Sequence, residues 1–233
     1  MLAAGGIIVI GSALPLRGAR AQGAKAKIGI IGAGNIGGTI GGLWIKAGHP
    51  VMFSSRHPDE LKAKVDSLGS LASAGPVAQA IAFAEVVFIA VPYGALPQIG
   101  KDNADALKGK IVLDACNAVQ ARDGAIAEEA ERDGIGATSQ KYLPGTRLVR
   151  AFNTMSYTIF AREANRPDPK LAIPIAGNDP QAIVVARTLV RDAGFEPVVV
   201  GNLADARRFQ RGAPGYGQAV TAAELKQKLS LTP

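Results

Sequence analysis

A doubly wound α/β fold, with one mostly parallel sheet covered by helices on both faces, is expected on three observations. From Ala26 onward, short β-branched runs alternate with segments of helical period, the order that builds βαβ units. The first such run leads directly into a glycine-rich turn, Gly32-Ala33-Gly34-Asn35-Ile36-Gly37. The 233 residues, 48% of them hydrophobic, suffice for the core of one large α/β unit.

The elements come in order. Lys27 to Ile31 is nearly continuously apolar and reads as a first strand buried on both faces. Ile36, Ile40, Leu43 and Trp44 recur at helical spacing up to Gly48. Val51 to Ser54 is the expected second strand, Asp59 to Leu68 a helix and Pro76 to Ala84 another. Val86 to Val91 is a central strand, followed by strands at Ile111 to Ala115 and Leu148 to Phe152. Leu171 to Ala176, a helix from Asp179 to Ala193, and Pro197 to Val200 complete a last βαβ-like unit. The charged stretch Arg162 to Lys170, with two prolines, is the expected long surface loop. Residues 22–233 thus form one nucleotide-binding unit that ends in this βαβ-like pair, and Gly212 to Pro233 is a short, polar C-terminal extension.

The position of the glycine turn, between a buried strand and a helix, is what gives it chemical meaning. Gly32 allows the tight turn, Gly34 lets a pyrophosphate approach the backbone, and Gly37 lets helix and strand pack closely. The helix start, through Ala33, Asn35 and Ile36, then offers free N–H groups to the phosphates. This is the Rossmann dinucleotide-binding arrangement. An NAD site places Asp or Glu at the end of the second strand, about 20 residues after the motif. Here Ser54-Ser55-Arg56 stands there instead. Two hydroxyls and a guanidinium can donate to a 2′-phosphate that a carboxylate would repel, so NADP(H) is the expected cofactor. The central strands should end at the same sheet edge, which brings Val91, Pro92 and Asn117 to the nicotinamide ribose through their backbones.

Other classes are disfavoured. The formal charge of +7 comes from scattered Lys and Arg, without the basic, aromatic-interleaved tract of a nucleic-acid surface. One cysteine, Cys116, and two histidines, His49 and His57, leave no internal disulfide and argue against a metal centre. Cys116 reads as a small core residue and His49 as a helix-end residue. The segment 1–21 stands apart. Leu2 to Leu16 is apolar or small except for Ser12, shorter than a membrane span, and Ala19-Arg20-Ala21 fits a cleavage site, although nothing basic precedes the run. It reads as a signal peptide or an N-terminal extension. The first places the protein in the periplasm or outside the cell, the second in the cytoplasm, and neither gives a stable membrane span.

Several further motifs together resemble one family. They are Ile28 to Gly37, the Ser55-Arg56 pair, Val87 to Pro92, Arg150-Ala151-Phe152-Asn153-Thr154, Ala176-Gly177-Asn178-Asp179 and Gly201 to Arg207. In this combination the chain resembles the coenzyme F420-dependent NADP reductases and the NADPH-binding domains of the STEAP metalloreductases. The resemblance implies that NADPH lies across Ala33 to Ile36 and Ser55-Arg56. It also implies that a small-molecule acceptor, F420 or a flavin such as FAD or FMN, stacks on the nicotinamide beside Ala151 and Asn153 to Ser156. Asn153 would touch the acceptor ring or, alternatively, cap a helix near Met155. Direct hydride transfer between aligned rings needs no acid or base, so no catalytic side chain is expected. A homodimer is left open. Two other readings stand beside this one: a pyrroline-5-carboxylate-reductase-like imine or ketone reductase, and an NADP(H)-binding redox sensor without catalysis.

Overall fold

The structure, a computed structural model, describes residues 25–231. The expected leader at residues 1–21 lies outside the described residues. Eight strands form one sheet in the order β3-β2-β1-β4-β5-β6-β7-β8. They are β1 (Ile28–Ile31), β2 (Val51–Ser54), β3 (Ala72–Gly75), β4 (Val86–Ile89), β5 (Ile111–Asp114), β6 (Arg147–Arg150), β7 (Ala172–Gly177) and β8 (Glu196–Gly201). All neighbours are parallel except β6 and β7, whose pairing is antiparallel. The chain runs outward from β1 to β3 and then returns to place β4 on the other side of β1, so the strand order reverses between β1 and β4. Open α/β sheets bind ligands at the carboxyl edge of such a reversal.

The helices are α1 (Asn35–Lys46), α2 (Lys62–Leu68), α3 (Val77–Phe83), α4 (Leu96–Asp102), α5 (Ala104–Leu107), α6 (Gln120–Asp123), α7 (Ala125–Asp133), α8 (Ile135–Tyr142), α9 (Tyr157–Glu163), α10 (Pro180–Asp192) and α11 (Ala222–Lys228). They cover both faces, as a parallel sheet requires. On one face α1, α9 and α10 pack on Ile28, Ile30, Phe53, Phe88, Val149 and Ile173, with Leu61, Val65 and Leu68 at the margin. On the other, Leu96, Leu107, Ala130, Ile135 and Leu225 pack on Ile31, Val87, Ile89, Val112 and Leu148. Trp44 ties the first layer together: its indole N–H donates to Leu189 O (2.8 Å), and its ring meets Phe88 and Phe152 edge to face at 5.1 and 5.7 Å.

Several sequence expectations need correction. Ala72–Gly75 is a strand, although Ala-Ser-Ala-Gly lacks β-branched residues; it forms the sheet edge against β2, where backbone pairing alone suffices. The expected loop at 162–170 begins inside α9, which ends at Glu163. That helix is capped by Ser156, whose hydroxyl accepts from Ile159 N (3.4 Å), and not by Asn153. The C-terminal segment is less polar in effect than it reads, because α11 buries Leu225 and is followed by buried Leu229. His49 closes α1 as expected of a helix-end residue, its backbone N–H donating to Trp44 O (2.9 Å), but its side chain does more. Its ring is buried between Ala26 O (2.9 Å) and the Asp192 carboxylate (2.8 Å), joining the end of α10 to the entry of β1. At α10 the Asp179 carboxylate accepts from Gln181 N and Ala182 N, and the Arg147 guanidinium bound to it holds its carboxyl well below the usual carboxylate range.

Candidate functional site

The site starts at the carboxyl ends of β1, β2 and β4. Gly32 comes directly after β1 with φ of +100°, and a Cβ there would lie 2.4 Å from Ala90 O, so both conformation and space demand glycine. A Cβ on Gly37 would lie 2.0 Å from Gly32 O, which is what allows α1 to start directly above the strand that precedes it. At Gly34 a Cβ would meet no heavy atom of the described residues within 4 Å. Glycine at this position therefore serves no internal packing, and the space beside it is where a pyrophosphate would touch backbone. Gly34 also precedes α1 without a side-chain cap, no acidic residue stands in the first turn, and Asn35 is exposed and Ile36 half-buried. The first-turn N–H groups and the positive end of the helix dipole thus face outward at this edge.

Ile31 pairs in register with Ser54, so the glycine turn after β1 and the loop after β2 leave the sheet side by side. Ser54 does not serve as expected. Its hydroxyl is fully buried and donates to Ile30 O (2.8 Å), so its proton is used inside the sheet. Ser55 is half-buried, and its oxygen accepts from His57 N (3.1 Å), which leaves its own proton to donate. Arg56 is exposed and has no hydrogen-bond or ion-pair partner among the described residues. Lys64, not singled out in the sequence, also reaches the turn: its ammonium donates to Ala33 O (2.6 Å). No local pattern marks it, because the contact depends on how α2 packs against α1.

Beyond β4, Val91 is half-buried and Pro92 exposed. Tyr93 is fully buried and donates to Ile135 O (3.2 Å); burial pushes its phenol well above the ordinary tyrosine value, so it stays neutral. Asn117 and Asn153 join the ends of β5 and β6, the Asn117 amide donating to Asn153 O (2.6 Å). The Asn153 amide donates to Phe209 O (3.1 Å), while its side-chain oxygen is buried without a partner among the described residues. Ala151 is fully buried within the first apolar layer, so only its backbone stands near this edge. Between them Phe152 has φ of +60°, a left-handed conformation that costs a bulky residue energy and is held by ring contacts to Trp44, Phe88, Phe160 and Phe195.

Beneath this edge lies a fully buried ion pair that sequence reading missed, Arg150 with Asp114 at 2.5 Å. Asp114 also accepts from Cys116 N (2.8 Å), and Arg150 donates to Cys116 O (2.6 Å). The pair therefore fixes the backbone that presents Asn117. Burying two charges costs desolvation, and Arg150 Nε has no hydrogen-bond partner among the described residues; loss of either partner would strand the other charge. The Cys116 thiol is fully enclosed, and burial, reinforced by the Asp114 charge, pushes it well above the usual value, so it is an unreactive core group. Next to Asn117, Ala118 and Val119 line a cavity of about 290 Å³ closed by Ile135 and by Gln210 and Arg211. Among the described residues no His, Cys, Asp and Glu cluster could hold a metal, and no helix is long and apolar enough to cross a membrane.

A reversal point, a glycine turn under a helix start and cationic groups beside it define a Rossmann-type dinucleotide-binding protein. Residues 27–118 match the family described as NADP oxidoreductase, coenzyme F420-dependent. The chain is similar to metalloreductase STEAP3 of Rattus norvegicus, 29% identical over 191 residues that cover 79% of this chain and 36% of the rat protein. The chain therefore spans only about a third of that relative. Among solved structures it is similar to the hypothetical protein SMa0349 of Sinorhizobium meliloti, with a TM-score of 0.72, 28% identity and coverage of 84% of this chain and 95% of the other. A candidate F420-dependent NADP reductase from Arthrobacter sp. FB24 shares the fold, with a TM-score of 0.67, 24% identity and coverage of 78% and 87%.

Proposed function

We propose that this chain is an NADP(H)-dependent oxidoreductase that exchanges hydride with a deazaflavin such as F420 or with a flavin. The observation that carries the reading is the pairing of an open glycine turn at Gly34 with an Arg56 that has no partner among the described residues and the Ser55 hydroxyl on the adjacent strand end, where an NAD site would hold a carboxylate. The family match supports the cofactor class and the oxidoreductase class.

The residues present fit such a cofactor. Backbone N–H groups from Asn35 to Gly37 would receive the pyrophosphate, and Ser55 and Arg56 the 2′-phosphate, Arg as a bidentate donor. Val91, Pro92 and Asn117 would border the nicotinamide ribose at the ends of β4 and β5. The buried, unpartnered oxygen of Asn153 is an acceptor suited to an amide or ring N–H. When bound, the nicotinamide supplies the hydride. The chain's own work is alignment, since reacting atoms must stand about 3 to 3.5 Å apart. The left-handed Phe152 and the Asp114–Arg150 pair hold Asn153 and Asn117 in place for it. The cavity beside Ala118 and Val119 is the adjoining space for the acceptor.

The test is oxidation of NADPH, monitored by absorbance, with F420, FMN, FAD and ferric chelates in turn. Turnover with F420 or a flavin is expected. Tight NADPH binding without turnover on any of them would replace this reading with that of a binding module.

A further inference from the structure

Lys64 is a cation at the nucleotide turn to which the NADP(H) reading gives no task. Its ammonium reaches the turn from α2, donating to Ala33 O at 2.6 Å. The approach is made possible by α1, which presents Gly38 and Gly42 to α2. A Cβ at Gly38 would lie 2.7 Å from the Lys64 ammonium, and one at Gly42 3.7 Å from Leu68. Two glycines four residues apart on one helix thus face two residues four apart on the next, on matching faces.

The register places the ammonium. Ile31 and Ser54 are partners across β1 and β2. Ala33 and Arg56 each lie two residues further on, leaving the same edge of strands that stand about 4.8 Å apart. An ammonium held at Ala33 O therefore sits at the corner between the glycine turn and the loop that carries Ser55 and Arg56. Its charge is uncommitted: on α2 the neighbouring Lys62 pairs with Asp66 at 2.6 Å, but among the described residues no carboxylate pairs with Lys64. An ammonium has three donors, and the contact to Ala33 uses one.

We propose that Lys64 is a second cation of the 2′-phosphate site and a determinant of the preference for phosphorylated over unphosphorylated dinucleotide. The inference rests on the NADP(H) reading. Arg56, exposed at the loop, supplies a fork from the solvent side, and Lys64, half-buried and anchored on Ala33, supplies a fixed point charge from the turn side. A half-buried anchored ammonium also loses less entropy on binding than a free one, which concentrates the discrimination there.

The experiment uses the full chain and two probes that lack nicotinamide, adenosine 2′,5′-bisphosphate and adenosine 5′-monophosphate, titrated at fixed ionic strength against wild type, Lys64→Met and Lys64→Gln. Lys64→Met and Lys64→Gln should each weaken the bisphosphate roughly tenfold or more, the size of one charged hydrogen bond, and the monophosphate less than about twofold. Equal losses on both probes would mean that Lys64 only props the turn, and no loss on either would remove it from the site; each result overturns the proposal. A wild type that prefers the bisphosphate while both variants keep that preference refutes the role of Lys64 alone. A wild type that binds both probes alike refutes the NADP(H) reading, and this inference with it.

Discussion

Arg56 and Ser54 differ in one respect that decides their roles: where the side chain's donors point. Arg56 has no partner among the described residues at the end of β2, while Ser54 gives its proton to Ile30 O. Arg56→Ala should therefore weaken NADPH by roughly 10- to 150-fold, the equivalent of about 1.5 to 3 kcal/mol for a charged hydrogen bond, and leave NADH almost unchanged. Dissociation constants for both nucleotides check this. An equal loss would assign Arg56 to the loop or the adenine. The glycine turn was legible in the sequence because its demands are local, a positive φ at Gly32 and a close approach at Gly37. The roles of Ser54 and Lys64 were not legible, since each depends on a neighbour brought by tertiary packing: the carbonyl of β1 for Ser54, and the face of α1 for Lys64. The Asp114–Arg150 pair was hidden for the same reason, its members lying 36 residues apart in sequence on adjacent strands.

Elements with strong apolar patterning were read within a residue or two of their observed ends. β2 runs Val51–Ser54 as expected, and β7, α10 and β8 fall where the last βαβ-like unit was placed. β3 escaped because Ala, Ser and Gly carry no strand signal, and its pairing to β2 is made by the backbone. α9 escaped because its seven residues bury only Phe160, too few to show a helical period. That buried ring matters, for Phe160 and Phe195 pack against the left-handed Phe152 at 5.9 and 6.3 Å and so hold the turn that leads to Asn153. Phe152→Ala should destabilise the fold by about 3 to 5 kcal/mol from the cavity it leaves. Relief of backbone strain will not offset this, since alanine is also strained at positive φ. Denaturant unfolding gives the value, and a loss below about 1 kcal/mol would show that the aromatic cluster does not hold the turn.

Across the whole molecule, the strand order places everything proposed for the nucleotide at one edge. The reversal between β1 and β4 sets the glycine turn, the Ser55-Arg56 loop and Val91 around one crevice, and β5 and β6 extend it through Asn117 and Asn153. One titratable cluster away from this site, His49 with Asp192 and Lys25, lies at the entry of β1, the opposite edge of the sheet, where it joins α10 to the chain start of the described fold. Chemistry and structural pairing are thus separated by the length of the strands, about 13 Å for four residues. The sequence carried this plan through its alternation of elements, but not the antiparallel step at β7, which depends on how α9 and the loop after it turn the chain.

Selection of NADP(H) at this edge is tested by calorimetric titration of the full chain with NADPH and with NADH, alongside Gly34→Val. Because a Cβ at Gly34 meets nothing within 4 Å among the described residues, the variant should keep the fold, losing roughly 1 kcal/mol from valine at the N-cap of α1. Wild type is expected to bind NADPH at least roughly tenfold tighter than NADH, as one charged contact to the 2′-phosphate requires, and folded Gly34→Val to bind neither. Equal affinity of wild type for the two nucleotides, or full NADPH affinity in the valine variant, would contradict it.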